Sequence, residues 1–163
     1  MTTKTQTKTG QREARRQTRT LLRPEEFADT QREWLAEGVL LAGSPAVLAG
    51  ERIGLTWFAA DLAVSLATGT SFLGHFPVPR RRRTALYVCD TAYADVRGVV
   101  HAVAKSRGAD LGDSELRLGR QGAAFRTRSQ WEKVVNETRE AEVEVVVIDT
   151  IRGALSCTAR VSG

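Results

Sequence analysis

Apolar positions along the chain fall into blocks that alternate between strand and helix spacing. Ala85-Leu86-Tyr87-Val88-Cys89 is nearly continuously apolar, the mark of a strand buried on both faces, and Thr84–Cys89 is the predicted extent. Val143-Glu144-Val145-Val146-Val147-Ile148-Asp149-Thr150 is β-branched and closes on an aspartate, which predicts another strand. Ala46–Ala49 predicts a strand ahead of both, and Leu116-Arg117-Leu118 a short peripheral one. Helical spacings lie between them. Phe58, Leu62, Ala63 and Leu66 make a stripe in Trp57–Thr68, with Gly69 placed as its C-cap. Val96, Val99, Val100 and Val103 make a second in Ala92–Arg107, ended by Gly108. Ser129 is placed to N-cap a third helix through Ala141, with Trp131, Val134 and Val135 on its buried side. Residues 24–37 predict a short helix, opened by Pro24 and packing Phe27, Trp34 and Leu35. Strands alternating with helices define an α/β class: a parallel β-sheet flanked by helices.

Composition narrows this picture at one end of the chain. The 163 residues suffice for one domain with a real core. The net charge is +5, but residues 1–23 hold seven Lys/Arg against one Glu, while the other 140 residues hold seventeen against eighteen. Basicity therefore belongs to the tail. Residues 1–23 read as a basic disordered leader, too poor in apolar side chains to offset ordering entropy. The alternative is a non-specific DNA arm, since clustered Lys/Arg without aromatics neutralises phosphates but reads no bases. Residues 24–163 then form the folded domain. Cys89 and Cys157 have no metal-ligand spacing and make no disulfide framework. Neither a secretory h-region nor a membrane-length apolar run occurs, so the expected location is cytoplasmic, with no membrane partner.

The chemistry concentrates in Ala46-Val47-Leu48-Ala49-Gly50-Glu51-Arg52-Ile53-Gly54-Leu55-Thr56. An apolar strand enters a glycine-containing turn, and a threonine opens a helix. That is the layout of a phosphate-binding loop, where backbone N–H groups and a helix N-terminus hold anionic oxygens. The full signature, G-x-x-x-x-G-K-[ST], places a lysine on the terminal phosphates and a hydroxyl on magnesium. Here Gly50 and Thr56 are one position too close and no lysine lies between them. Arg52 is a conceivable substitute cation. His75, in the extended connector 70–79, has no partner carboxylate in the sequence pattern and reads as structural. Arg80–Arg83 reads as a solvated loop, with a basic contact to DNA or a neighbouring subunit as the alternative.

Ser65-Leu66-Ala67-Thr68-Gly69-Thr70-Ser71-Phe72-Leu73-Gly74-His75-Phe76-Pro77-Val78 resembles the segment after the phosphate loop in RecA-fold ATPases of the RepA-like group, AAA-family hexameric replicative helicases of plasmids and phages. Trp34-Leu35, Leu86-Tyr87-Val88 and Val146-Val147-Ile148-Asp149-Thr150 also sit where that family has equivalents. The resemblance implies a RecA-like core that binds ATP with Mg2+. Gly50, Glu51, Arg52, Ile53, Gly54, Leu55 and Thr56 would form the phosphate loop, and Thr56 and Asp149 the magnesium ligands. It also implies a homo-hexamer acting on DNA.

Three departures qualify those implications. The family's lysine has no counterpart between Leu55 and Thr56. Its water-polarising glutamate falls at Thr91, with Asp90 one residue earlier; Thr91 cannot serve as a base, and Asp90 would point elsewhere on an alternating backbone. The family's further strands after Asp149 exceed the residues present here, so the expected core is incomplete at its C-terminus, with exposed sheet edges. Losing one charge-assisted contact at the phosphates costs ~1.5–3 kcal/mol, which implies a weak or inactive ATPase. The competing readings are a catalytically dead interaction or DNA-binding module using the basic tail, and a Rossmann-like α/β protein; the absence of any G-x-G-x-x-G weighs against the last.

Overall fold

The computed structural model describes residues 32–47, 54–89, 93–119 and 127–149. The expectations for residues 1–31, 48–53, 90–92 and 150–163, and thus for most of the loop, the basic tail and the Asp90/Thr91 pair, lie outside them. Three parallel strands form the central sheet: β3 (Thr84–Val88), β4 (Leu116–Leu118) and β5 (Val145–Asp149), in the order β4-β3-β5. Central placement explains why every residue of β3 is buried. Thr84 pairs with Leu116 on one side and Val145 on the other, and Val88 is level with Asp149. The α/β class and parallel sheet predicted above are therefore present, with β4 peripheral as expected.

Helices cover both faces of this sheet. Alternation along β3 turns Leu86 and Val88 toward α1 (Leu55–Thr68) and α2 (Tyr93–Ser106), where they join Ala60, Ala63, Val64, Val96, Val100 and Val103. Ala85 and Tyr87 face the other way, onto Val134 of α3 (Arg128–Glu140). Ala59, Ala60 and Ala63 lack bulk, which lets α1 lie close on the sheet, and its other side packs Leu66 against Phe72 and Val78. Each fully buried Val or Leu contributes about 1.5–3 kcal/mol of transfer free energy, so these two clusters are the principal hydrophobic stabilisation. Gly69 ends α1 as predicted, its N–H donating to the Ser65 carbonyl at 2.8 Å.

Several expectations are corrected. Trp34–Ala36 is not the end of a helix but strand β1, paired antiparallel with β2 (Leu40–Leu41). Gly38, at φ 74°, supplies the positive φ of the turn, and Ala42 N–H closes the hairpin on the Glu33 carbonyl at 2.8 Å. The hairpin buries Leu35 and Ala36 and leaves Trp34 on the exposed side. Ala46 and Val47 belong to no strand, and Val47 is 74% exposed. The cap of α3 is Thr127, whose hydroxyl accepts from the Gln130 N–H while the Gln130 side chain accepts from the Thr127 N–H. Only Val134 of that helix is buried; Trp131 and Val135 stay exposed.

Arg80–Arg83 is not a simple solvated loop either. Arg82 is 5% exposed. Its Nη2 lies 2.5 Å from Glu33 Oε1 and its Nη1 3.4 Å from Glu144 Oε1, while Arg80 reaches the same two oxygens at 3.0 and 2.9 Å. Two guanidiniums and two carboxylates thus tie the hairpin to the start of β5. The Arg80 hydrogen bond holds Glu33 below its usual carboxylate range, with the charge of Arg82 adding to it. For Glu144 the downward pull comes first from the Arg83 backbone N–H and then from Arg80 and Arg82.

Candidate functional site

The first turn of α1 presents the described part of the predicted loop. Gly54 precedes the helix in the left-handed region, at φ 91° and ψ −8°, a conformation that costs glycine little and a side-chain-bearing residue much. Leu55 and Thr56 are already helical, so the helix begins one residue ahead of the threonine that the sequence pattern placed at its opening. Phe58 N–H donates to the Gly54 carbonyl at 2.9 Å, so the N–H groups of Leu55, Thr56 and Trp57 are the donors that helix geometry leaves over. Among the described residues no side chain caps this end, and no acid occupies the first turn. Its partial positive charge is therefore open to an anion.

Asp149 is the last residue of β5 and is 4% exposed. It shares a face with Val145 and Val147, which pack with residues of α1, so the period of the strand turns its side chain toward the side of the sheet that α1 covers. Its carbonyl accepts from Cys89 N–H at 2.7 Å, which brings the chain leaving β3 alongside the end of β5. The C-terminal ends of parallel strands are where open α/β sheets bind ligands. Among the predicted residues, the structure thus puts Gly54, Leu55 and Thr56 in one helical turn and Asp149 at a strand end on that helix's side. Gly50, Glu51, Arg52, Ile53, Asp90 and Thr91 lie outside the described residues. Thr56 and Asp149 offer hard oxygen donors, the type Mg2+ takes, and Mg2+ commonly uses one or two protein ligands beside water and phosphate. Among the described residues no group of three or more His, Cys, Asp and Glu is gathered for a metal. His75 is exposed and sets its ring edge-on to Phe76 at 5.1 Å, in keeping with a structural role.

Sequence reasoning passed over Asp61 and Arg107. Asp61 sits in the middle of α1, 6% exposed. Its Oδ1 accepts from Arg107 Nε and Nη2 at 3.0 and 2.7 Å, and its Oδ2 from the Leu73 N–H at 2.6 Å. One acid within an otherwise uncharged helix was the available signal. These groups floor a cavity of about 440 Å3 bounded by Gly54, Trp57, Phe58 and Leu73. The cavity lies between α1 and the C-terminal part of α2, with Gly54 on its border.

The family model of the AAA domain matches residues 10–159. The chain belongs to this family of AAA-type P-loop ATPase domains, nucleotide-binding modules that ordinarily work with Mg2+. No match is found among curated proteins. No helix among the described residues is long and apolar enough to cross a membrane.

Proposed function

We propose that this chain is a RecA-like nucleotide-binding domain of the RepA-like replicative helicase kind, with a degenerate phosphate loop that makes it a weak or inactive ATPase. The observation that carries the reading is the pairing of an uncapped helix turn at Gly54-Leu55-Thr56 with a buried Asp149 on the same side of the sheet. The turn's N–H groups would receive phosphate oxygens. The Thr56 hydroxyl and the Asp149 carboxylate would hold Mg2+, which when bound neutralises charge on the phosphates. Against turnover stands the sequence itself, which has no lysine between Gly50 and Thr56. In the helicase setting, DNA would meet residues 1–23 and the domain would assemble with copies of itself.

The second reading, a module that binds DNA through its tail without using nucleotide, is favoured by the concentration of charge in residues 1–23. Inserting a lysine between Leu55 and Thr56 and titrating a fluorescent ATP analogue with Mg2+ separates the two. The loop reading expects affinity to rise about tenfold or more, in line with one charge-assisted contact. Unchanged affinity means that the loop is misaligned, and DNA binding that persists without nucleotide but fails on deleting residues 1–23 supports the module instead.

A further inference from the structure

Three separate pieces of chain meet on the Asp61 carboxylate: α1 itself, the turn at Phe72–Phe76, and the residue just past the end of α2. The turn arrives at a conformational cost that the carboxylate offsets. Leu73 holds a positive φ of 52°, disfavoured for a branched side chain, and it is its own N–H that donates to Asp61. Gly74, at φ 69°, leaves the place of a side chain to Arg107: a Cβ built there would fall 2.4 Å from Nη1. The guanidinium therefore fills the space a side chain at residue 74 would take and forks onto the carboxylate behind it. Asp61 lies two turns along α1 from Gly54, and both border the same cavity.

From this geometry we infer that Asp61 and Arg107 are a positioning pair. They lock the axial placement of α1 against α2 and the Phe72–Phe76 turn, and through the rigid helix they hold the Gly54–Thr56 turn in its anion-receiving form. Only the last clause rests on the phosphate-loop reading. An anchor on the flank of α1 governs how far its first turn can open, because that turn has no side-chain cap of its own. Arg107 contributes direction as well as charge, since a lysine would offer one point contact in place of the fork.

Amide hydrogen exchange on the full chain tests this, comparing Asp61→Asn, Arg107→Lys and Gly74→Ala. The last leaves both charged partners chemically intact and crowds the guanidinium, but the positive φ at that position also strains the Phe72–Phe76 turn, so for that variant Phe58 is the deciding amide. The positioning role predicts that exchange at Leu73 and at Phe58, whose N–H bonds the Gly54 carbonyl, accelerates about tenfold or more while the β3 amides of Thr84–Val88 keep their rates. Acceleration at Leu73 alone overturns it, because the pair then staples only the turn. Acceleration of β3 together with Phe58 overturns it too, because the pair is then ordinary global stabilisation. If Asp61→Asn fails to fold, the other two variants decide. Titration of a Mg2+–ATP analogue on the unaltered chain separates the two readings: no saturation removes the phosphate-loop clause and leaves the exchange result standing for the anchor.

Discussion

Replacing Phe72 by alanine should be among the most damaging single changes this domain can suffer. The ring is 2% exposed, packed with Leu35, Leu66 and Val78, and set edge-on to Phe58 with centroids 4.9 Å apart and planes at 88°. Deleting a buried phenyl group costs about 3–5 kcal/mol, because the cavity collapses only in part. Collapse is limited here on two sides. The adjoining backbone is pinned by the reciprocal Phe72–Phe76 hydrogen bonds and by the Leu73–Asp61 contact, and the β1–β2 hairpin is held across from it. A domain of this size loses about 2–4 °C of Tm per kcal/mol, so the midpoint should fall by roughly 6–20 °C. Of the total, about 0.5–1.5 kcal/mol belongs to the Phe58–Phe72 edge-to-face pair and should appear as coupling in a double-mutant cycle with Phe58→Leu. Urea unfolding at constant m-value reads both numbers. A loss below about 1.5 kcal/mol, well under the range for a buried phenyl group, would refute the placement of Phe72 at the centre of this cluster.

Acid should loosen the hairpin. Glu33 and Glu144 have folded pKa values lowered from the ordinary 4.5, so the stability they contribute is present above that value and is lost as pH falls through the lowered ones. Thermal scans of the wild type should therefore show Tm dropping below about pH 4.5, and Glu33→Gln with Glu144→Gln should start lower and flatten that decline; equal slopes would contradict the network. Thr127→Ala removes the side-chain half of the capping box on α3 and should cost about 1 kcal/mol in urea unfolding, whereas Ser129→Ala, inside the first turn, should cost clearly less.

The central architecture was legible because it is written locally. Ala85–Val88 is apolar without a break because helices cover both of its faces, and a short run bounded by charge has few other readings. The same holds for α2, where Val96, Val100 and Val103 are buried as the spacing predicted and Val99 is partly so. Trp34–Ala36 defeated the pattern because three residues carry too little period to separate helix from strand. What decides it is the turn at Gly38 and a partner strand four residues later. Thr127 could have been read from its Gln130 three residues on, the spacing of a capping box, in preference to Ser129. The arginine run could not have been resolved locally. Its acids lie 47 and 62 residues from the guanidiniums they neutralise, and only the folded chain brings Glu33 and Glu144 together around Arg82. Asp61 was hidden for the same reason: Arg107 is 46 residues away, and an isolated aspartate on a helix looks like solvent-facing charge until its burial is known. Of the proposed site, the helix that Thr56 helps to open and the strand that ends on Asp149 were readable from spacing and β-branching, whereas the strand expected at Ala46–Ala49 was not found at Ala46 and Val47.

Affinity for a Mg2+–ATP analogue, measured on the unaltered chain and on Thr56→Ala, bears most directly on the claim that the first turn of α1 faces nucleotide. The account predicts weak saturable binding that Thr56→Ala diminishes about tenfold or more and that removal of Mg2+ diminishes likewise. Tight binding indifferent to both Thr56 and Mg2+ would place the nucleotide elsewhere on the domain and contradict it.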